Sequence, residues 1–114
     1  MKRVYVAGPF RSDSTLGTFD NMRAGFDACE AVDNLGHASY CPWLDYTFAL
    51  RRKVDVKRLQ ARSMAWLEAA DAVYMAPNWA RSEGARAEHE RARKLKIPVF
   101  HSIKELAKWP KEAE

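Results

Sequence analysis

The sequence predicts an α/β domain, a parallel sheet of four or five short strands with helices on both faces. Three observations carry this. Four short apolar runs, Val4 to Ala7, His37 to Cys41, Ala72 to Ala76 and Ile97 to Phe100, are closed or interrupted by glycine or proline, as buried strands are. Apolar residues between the runs recur at helical spacing. The length, 114 residues, suits one compact domain over residues 1–114 and leaves no room for a second.

The elements follow in order. Val4 to Ala7 reads as a strand that begins almost at residue one and ends in the tight turn Gly8-Pro9. After the polar stretch Arg11 to Thr18, the positions Phe19, Met22, Phe26, Cys29 and Val32 trace one helical stripe, with Gly36 as a natural stop. His37 to Cys41 gives a second strand stopped by Pro42, and strand, helix, strand in this order is a βαβ unit. Trp43 to Val54 carries no clear period. From Asp55 to Ala70 the stripe is Val56, Leu59, Trp66 and Ala70; a strand over Ala72 to Ala76 follows, ended by Pro77. Ser82 caps a helix from Glu83 to about Lys94, Ile97 to Phe100 is the last strand, and Ser102 starts a short final helix to about Lys108. Such alternation gives a three-layer, Rossmann- or flavodoxin-like sheet.

Composition narrows the function classes. With 47% hydrophobic and 30% charged residues the chain is an ordinary globular one. Nineteen Lys and Arg against fifteen Asp and Glu leave a net charge of +4, but the basic runs Arg51 to Lys53 and Arg91 to Lys96 are too short or interrupted to form a phosphate track. A nucleic-acid polymer is therefore not the expected partner. Cys29 and Cys41 form no CxxC pair, and His37, His89 and His101 have no zinc spacing, so neither a metal nor an organic cofactor is expected. The first apolar run is too short for a signal peptide, and none approaches membrane-spanning length. The expectation is a soluble cytoplasmic protein whose thiols are buried packing residues.

In parallel sheets ligands collect where strands pass into helices, which selects Gly8 to Ser14, Pro42 to Asp45 and Pro77 to Ala85. Gly8-Pro9-Phe10-Arg11-Ser12 combines close backbone approach, a cation and a hydroxyl, and Ser82-Glu83-Gly84-Ala85 sets a hydroxyl and free amides at a helix N-terminus. Both suit an anion such as phosphate, although either could be an ordinary turn. At about 100° per residue, Glu88 lies about 60° from Ala85, on the side of Ala92 and Leu95 and inside the apolar stripe. A carboxylate there is either half of a buried ion pair or a nucleophile or acid/base at the floor of a crevice. Ser63, about 40° from Leu59 on its own helix, is either packed core or a site residue. Trp43, Tyr46, Phe48 and Trp79 either stack on a flat ring or belong to the core or an interface.

Taken together, Tyr5-Val6-Ala7-Gly8-Pro9, Asn21, Gly36-His37 with Pro42, Trp66-Leu67 with Ala70-Asp71-Ala72, and Ser82-x-Gly84-Ala85-x-x-Glu88 with Ala92 and Ile97-Pro98-Val99 resemble the nucleoside 2-deoxyribosyltransferase superfamily, including its small deoxynucleoside 5'-monophosphate N-glycosidases and phage-type members. The resemblance spans nearly the whole chain. It implies cleavage of an N-glycosidic bond, by hydrolysis or transfer, with Glu88 as nucleophile and Tyr5 orienting it. It assigns phosphate binding to Gly8, Pro9, Phe10, Arg11, Ser12, Ser82 and Gly84, with a nucleoside or nucleotide as small-molecule partner. Serine at 82, where the transferase branch usually has aspartate, points to nucleotides. A homodimer or larger assembly is expected, since the family commonly completes its sites across subunits. One departure stands out: Ser63 occupies the place of an aspartate that contacts the sugar and assists departure of the base. Asp45 or Asp55 is a candidate substitute acid, with Trp43 and Trp79 as candidate stacking partners for the base. The alternative is a nucleotide-binding or regulatory protein on the same fold with weak or no catalysis.

Overall fold

The computed structural model describes residues 1–109. The first strand, β1 (Arg3–Ala7), is followed by helix α1 (Thr15–Asn34), β2 (Ala38–Tyr40), a 3-10 segment over Pro42–Leu50, α2 (Val56–Glu68), β3 (Ala72–Met75), a 3-10 turn at Trp79–Arg81, α3 (Glu83–Lys94), β4 (Val99–Phe100) and α4 (Ile103–Ala107). The four strands form one parallel sheet in the order β2-β1-β3-β4. β1 is central, with Tyr5 in register with Tyr40 on one side and Val73 on the other.

Side chains alternate along a strand, so β1 feeds two cores. Val4 and Val6 pack with Ala28, Cys29, Val32 and Leu106 of α1 and α4. Tyr5 and Ala7 face the other way, with Leu67 of α2 and Ala85 and Ala92 of α3. Four of the five β1 residues are buried, which accounts for an apolar run without polar alternation. The expected three-layer fold, four strands with helices on both faces, is what forms.

Several boundaries and faces differ from the sequence reading. α1 starts a turn before Phe19, because Ser14 caps it by accepting from the Gly17 amide at 3.0 Å. Its buried line runs through Gly25, Ala28, Cys29 and Val32, leaving Phe19 and Phe26 exposed. The reason is Trp43, only 3% exposed, whose indole occupies the space against Gly25 that a larger stripe residue would have filled. On α2 the inward residues are Leu59 and Leu67, whereas Trp66 is 50% exposed and stacks on Tyr40 at 5.5 Å. Leu95 caps α3 and is 40% exposed instead of joining the stripe. The outer strands are shorter than their apolar runs. In the last run Pro98 offers no amide to the ladder, and its carbonyl accepts from the Val73 amide instead.

A Cβ on Gly25 would overlap the Trp43 ring. Alanine gains about 1 kcal/mol of helix propensity over glycine, but overpacking a filled core costs about 1–3 kcal/mol. Gly25→Ala is expected to lower unfolding free energy in urea, and an unchanged or raised midpoint would contradict this packing.

Candidate active site

Sheet order reverses between β1 and β3, since the chain first steps from β1 to β2 and then returns to the opposite flank of β1. Parallel sheets open a crevice at such a switch point, beyond the carboxyl ends of the strands. Here it has a volume of about 880 Å³. Its walls include Gly8 to Asp13 after β1, Trp43 and Tyr46 of the 3-10 segment, Gln60, Ser63 and Met64 of α2, and Pro77, Asn78 and Arg81 to Ala85 after β3.

Glu88, on the second turn of α3, lies at this crevice and is mostly buried. The Tyr5 hydroxyl donates to its Oε2. Burial disfavours the carboxylate and pushes Glu88 from its ordinary 4.5 up to about 7, with the Tyr5 hydrogen bond working in the opposite direction. Tyr5 is itself raised well above its ordinary value, by burial first and then by the neighbouring Glu88. The pair therefore sits in a poorly hydrated pocket, whose burial is what pushes the carboxyl group up to about 7.

The turn after β1 is held by side chains from elsewhere. Trp43 Nε1 donates to the Pro9 carbonyl at 2.9 Å, and Asn21 Nδ2 donates to the Phe10 carbonyl at 3.1 Å. Phe10 stacks on Tyr46 with centroids 3.7 Å apart. The Ser12 amide donates to Thr18 Oγ1 at 3.2 Å, leaving Arg11 exposed at the crevice. Opposite, Ser82 caps α3 by accepting from the Ala85 amide at 3.1 Å, and a Cβ at Gly84 would meet nothing closer than Ser82 Oγ at 3.8 Å. The N-terminal end of α3 thus faces open space across from Arg11, an arrangement suited to an anion. Arg81, at the same mouth, went unnoticed in the sequence because it lies in an irregular turn; its place beside Ser82 was the available signal.

The remaining residues divide. Gly8, Pro9, Phe10, Arg11, Ser12, Ser63, Ser82 and Gly84 line the crevice with Glu88 and Trp43. Trp79 does not: it packs against the core on the α3 side of the sheet, stacked on His89 at 4.5 Å. Asp55 caps α2, accepting from the Arg58 amide at 3.3 Å, and is absent from the crevice wall. Asp45 is buried behind Ser63, where it accepts from Ser63 Oγ at 3.2 Å, Tyr40 Oη at 2.8 Å and Arg62 Nη1 at 2.6 Å. Neither aspartate lines the crevice. Folding also unites residues far apart in sequence. The Cys29 and Cys41 thiols come close enough to interact, which raises Cys29 and lowers Cys41. His89 and His101 bring their Nε2 atoms within 3.2 Å. Among the described residues no cluster of three or more His, Cys, Asp or Glu could hold a metal ion, and no helix is long and apolar enough to cross a membrane.

The fold is shared with a solved 2-deoxyribosyltransferase from the psychrotolerant bacterium Bacillus psychrosaccharolyticus, with a TM-score of 0.67 over 95% of this chain and 92% of that one, at 14% identity. At that identity the likeness concerns architecture. The chain itself belongs to the family described as domain of unknown function DUF4406, which matches residues 2–101. No functionally curated protein matches it.

Two outcomes follow from this geometry. Gly84→Ala, helical and with open space for a Cβ, is expected to raise the thermal midpoint while weakening anion binding several-fold, as read by inorganic phosphate titration; equal affinity would mean that ligands do not approach the start of α3. Glu88 binds its proton more tightly in the folded protein than in the unfolded chain. The resulting stability is fully present below about pH 4.5 and is lost as pH rises through about 7. Glu88→Gln, which does not titrate, is expected to be more stable than the unmutated protein by roughly 1–3 kcal/mol above neutrality. In denaturant titrations that gap should close toward acid pH, and a gap independent of pH would contradict the burial assigned to Glu88.

Proposed function

We propose that the protein cleaves the N-glycosidic bond of a nucleoside 5'-monophosphate or nucleoside, with Glu88 as nucleophile. The observation that carries this reading is the largely buried Tyr5–Glu88 pair in a crevice whose lining includes Arg11, Arg81 and the first residues of α3. The shared fold with a 2-deoxyribosyltransferase supports it.

In this mechanism the Glu88 carboxylate forms a bond to the anomeric carbon as the carbon–nitrogen bond breaks through an oxocarbenium-like state. The bonding pair leaves with the base nitrogen, which takes a proton from water. Water then attacks the glycosyl ester, its oxygen going to the sugar, one proton going to solvent and the carboxylate being restored; a second base in place of water gives transfer. Tyr5 holds Oε2 so that the other carboxyl oxygen is free to attack. Arg11, Ser12, Ser82 and the first amides of α3 bind the phosphate, with Arg81 adding charge. The stacked Phe10–Tyr46 pair offers aromatic surface to the base, whereas the Trp43 ring, 3% exposed and packed on Gly25, keeps its faces in the core instead of stacking on a ligand. The single domain, with its open crevice, works as a homodimer or larger assembly in which a second subunit covers the mouth. A nucleotide substrate and free thiols both fit the reducing cytoplasm.

Ser63 favours a second reading, a nucleotide-binding protein with little turnover, because a hydroxyl stands where a proton-carrying acid would serve the leaving base. Chromatography of purified protein with ribo- and deoxyribonucleoside monophosphates and nucleosides, with and without an acceptor base, separates the two. Free base is expected, with a rate that rises as pH increases through about 7 and is abolished in Glu88→Gln. Nucleotide-dependent thermal stabilisation without free base would establish the binding protein instead.

A further inference from the structure

Two of the three histidines meet in the fold, although 12 positions separate them in sequence. His89 lies on α3, and His101 directly follows β4. Their Nε2 atoms are 3.2 Å apart, with ring centroids at 5.4 Å and planes inclined by 51°. Trp79, from the 3-10 turn before α3, touches both rings: it stacks on His89 at 4.5 Å with planes 15° apart and meets His101 at 5.8 Å, tilted by 43°. The backbone of His101 is anchored as well, its amide donating to Glu105 Oε1 at 3.0 Å. None of these three rings lines the crevice.

An imidazole whose proton sits on Nδ1 presents Nε2 as a ligand, which suits zinc, nickel and copper ions and does not suit magnesium. At about 2.0–2.1 Å per bond, two nitrogens 3.2 Å apart subtend about 100° at a shared ion, between the octahedral right angle and the tetrahedral value of roughly 109°. The fold thus delivers both nitrogens at chelate spacing. In the neutral pair one Nε2–H donates to the lone pair of the other ring. When an ion binds, that proton leaves Nε2 and, through solvent, Nδ1 of the same ring gains one, so two neutral rings release none. Each ring also turns slightly, bringing both lone pairs together on one side of the line that joins the nitrogens. His101 is exposed and has room to turn, while Trp79 holds the plane of His89. Among the described residues no third His, Cys, Asp or Glu completes a cluster, so water fills the other positions around the ion. Of the charged groups next to His89, Glu90 attracts a cation and Arg93 opposes it.

We propose that His89 and His101 form a two-histidine site for one divalent ion of the zinc, nickel and copper class, which staples α3 to the segment after β4. The unfolded chain does not hold the two rings together, so an ion bound by both stabilises the folded state. The site is separate from the crevice and does not depend on the glycosidic reading.

The test uses nickel chloride and the purified protein. Calorimetric titration is expected to give one nickel ion per chain, and the thermal midpoint should rise with nickel concentration but not with magnesium chloride. Removing one ring removes the second, intramolecular ligand, so His101→Ala is expected to weaken nickel binding by about tenfold or more and to abolish the rise in midpoint. Cys41→Ser, which alters the other soft donor in reach of solvent, should bind nickel as the unmutated protein does. Unchanged affinity in His101→Ala, loss of binding in Cys41→Ser, or an equal response to magnesium overturns the proposal. Proton NMR of the unmutated protein decides without any variant. Paramagnetic nickel should shift or broaden the ring signals of His89 and His101 together and leave those of His37, which packs on Trp109, in place. A response of only one of the pair, or of all three rings alike, overturns the proposal. Failure to release a base would reject the glycosidic reading and leave this result untouched.

Discussion

The alternation of side chains along β1 is the constraint on which the rest depends. Val4 and Val6 point to the α1 face, so Tyr5 and Ala7 must point to the α2 and α3 face. Tyr5 is thereby buried below Glu88, and its hydroxyl supplies the hydrogen bond without which a carboxyl group in that position would be unpartnered. A shift of one residue in β1 would send the tyrosine to the opposite core. The register with β2 and β3 fixes it, and it fixes the start of the Gly8 to Ser12 turn as well.

Trp43 links this frame to the crevice wall. Its ring fills the space over Gly25 and touches the turn at Gly8, and its Nε1 holds the Pro9 carbonyl. One buried aromatic thus joins the helix behind the sheet, the 3-10 segment and the turn after β1. Packing and positioning are the same interaction here: the backbone that would meet a ligand is held by a side chain of the core.

Helix and strand periods and helix caps were legible in the sequence, whereas the burial of bulky stripe residues and the course of the Pro42–Leu50 segment were not. Glu88 and Ala85 share a helix, so angular spacing alone set the carboxylate inward. Ser82 and Ser102 were recognisable caps because serine before a helix has a mechanism. Trp66 misled because bulk suggests burial, yet it is Leu67 that enters the core while the indole lies flat on Tyr40. The position of Asp45 was unreadable: the Pro42–Leu50 segment has no simple hydrophobic period, and its partners Arg62 and Ser63 lie 17 and 18 residues away. Asp45 and Asp55 looked equivalent as acidic residues near a helix. Only the fold separates them, one as a buried acceptor and the other as a helix cap.

The central position of β1 also governs how the molecule comes together. β1 borders β3, so Arg3 meets Asp71 across 68 residues of sequence and Tyr5 meets Glu88 across 83. Contacts of such separation bear a large loop-closure entropy before they return any stabilisation, which slows folding. During synthesis β1 can pair with β2 once Tyr40 has emerged, whereas its pairing with β3 waits for Met75 and the Tyr5 hydrogen bond for Glu88, so the crevice forms after the first βαβ unit. The site therefore cannot assemble before α3 does.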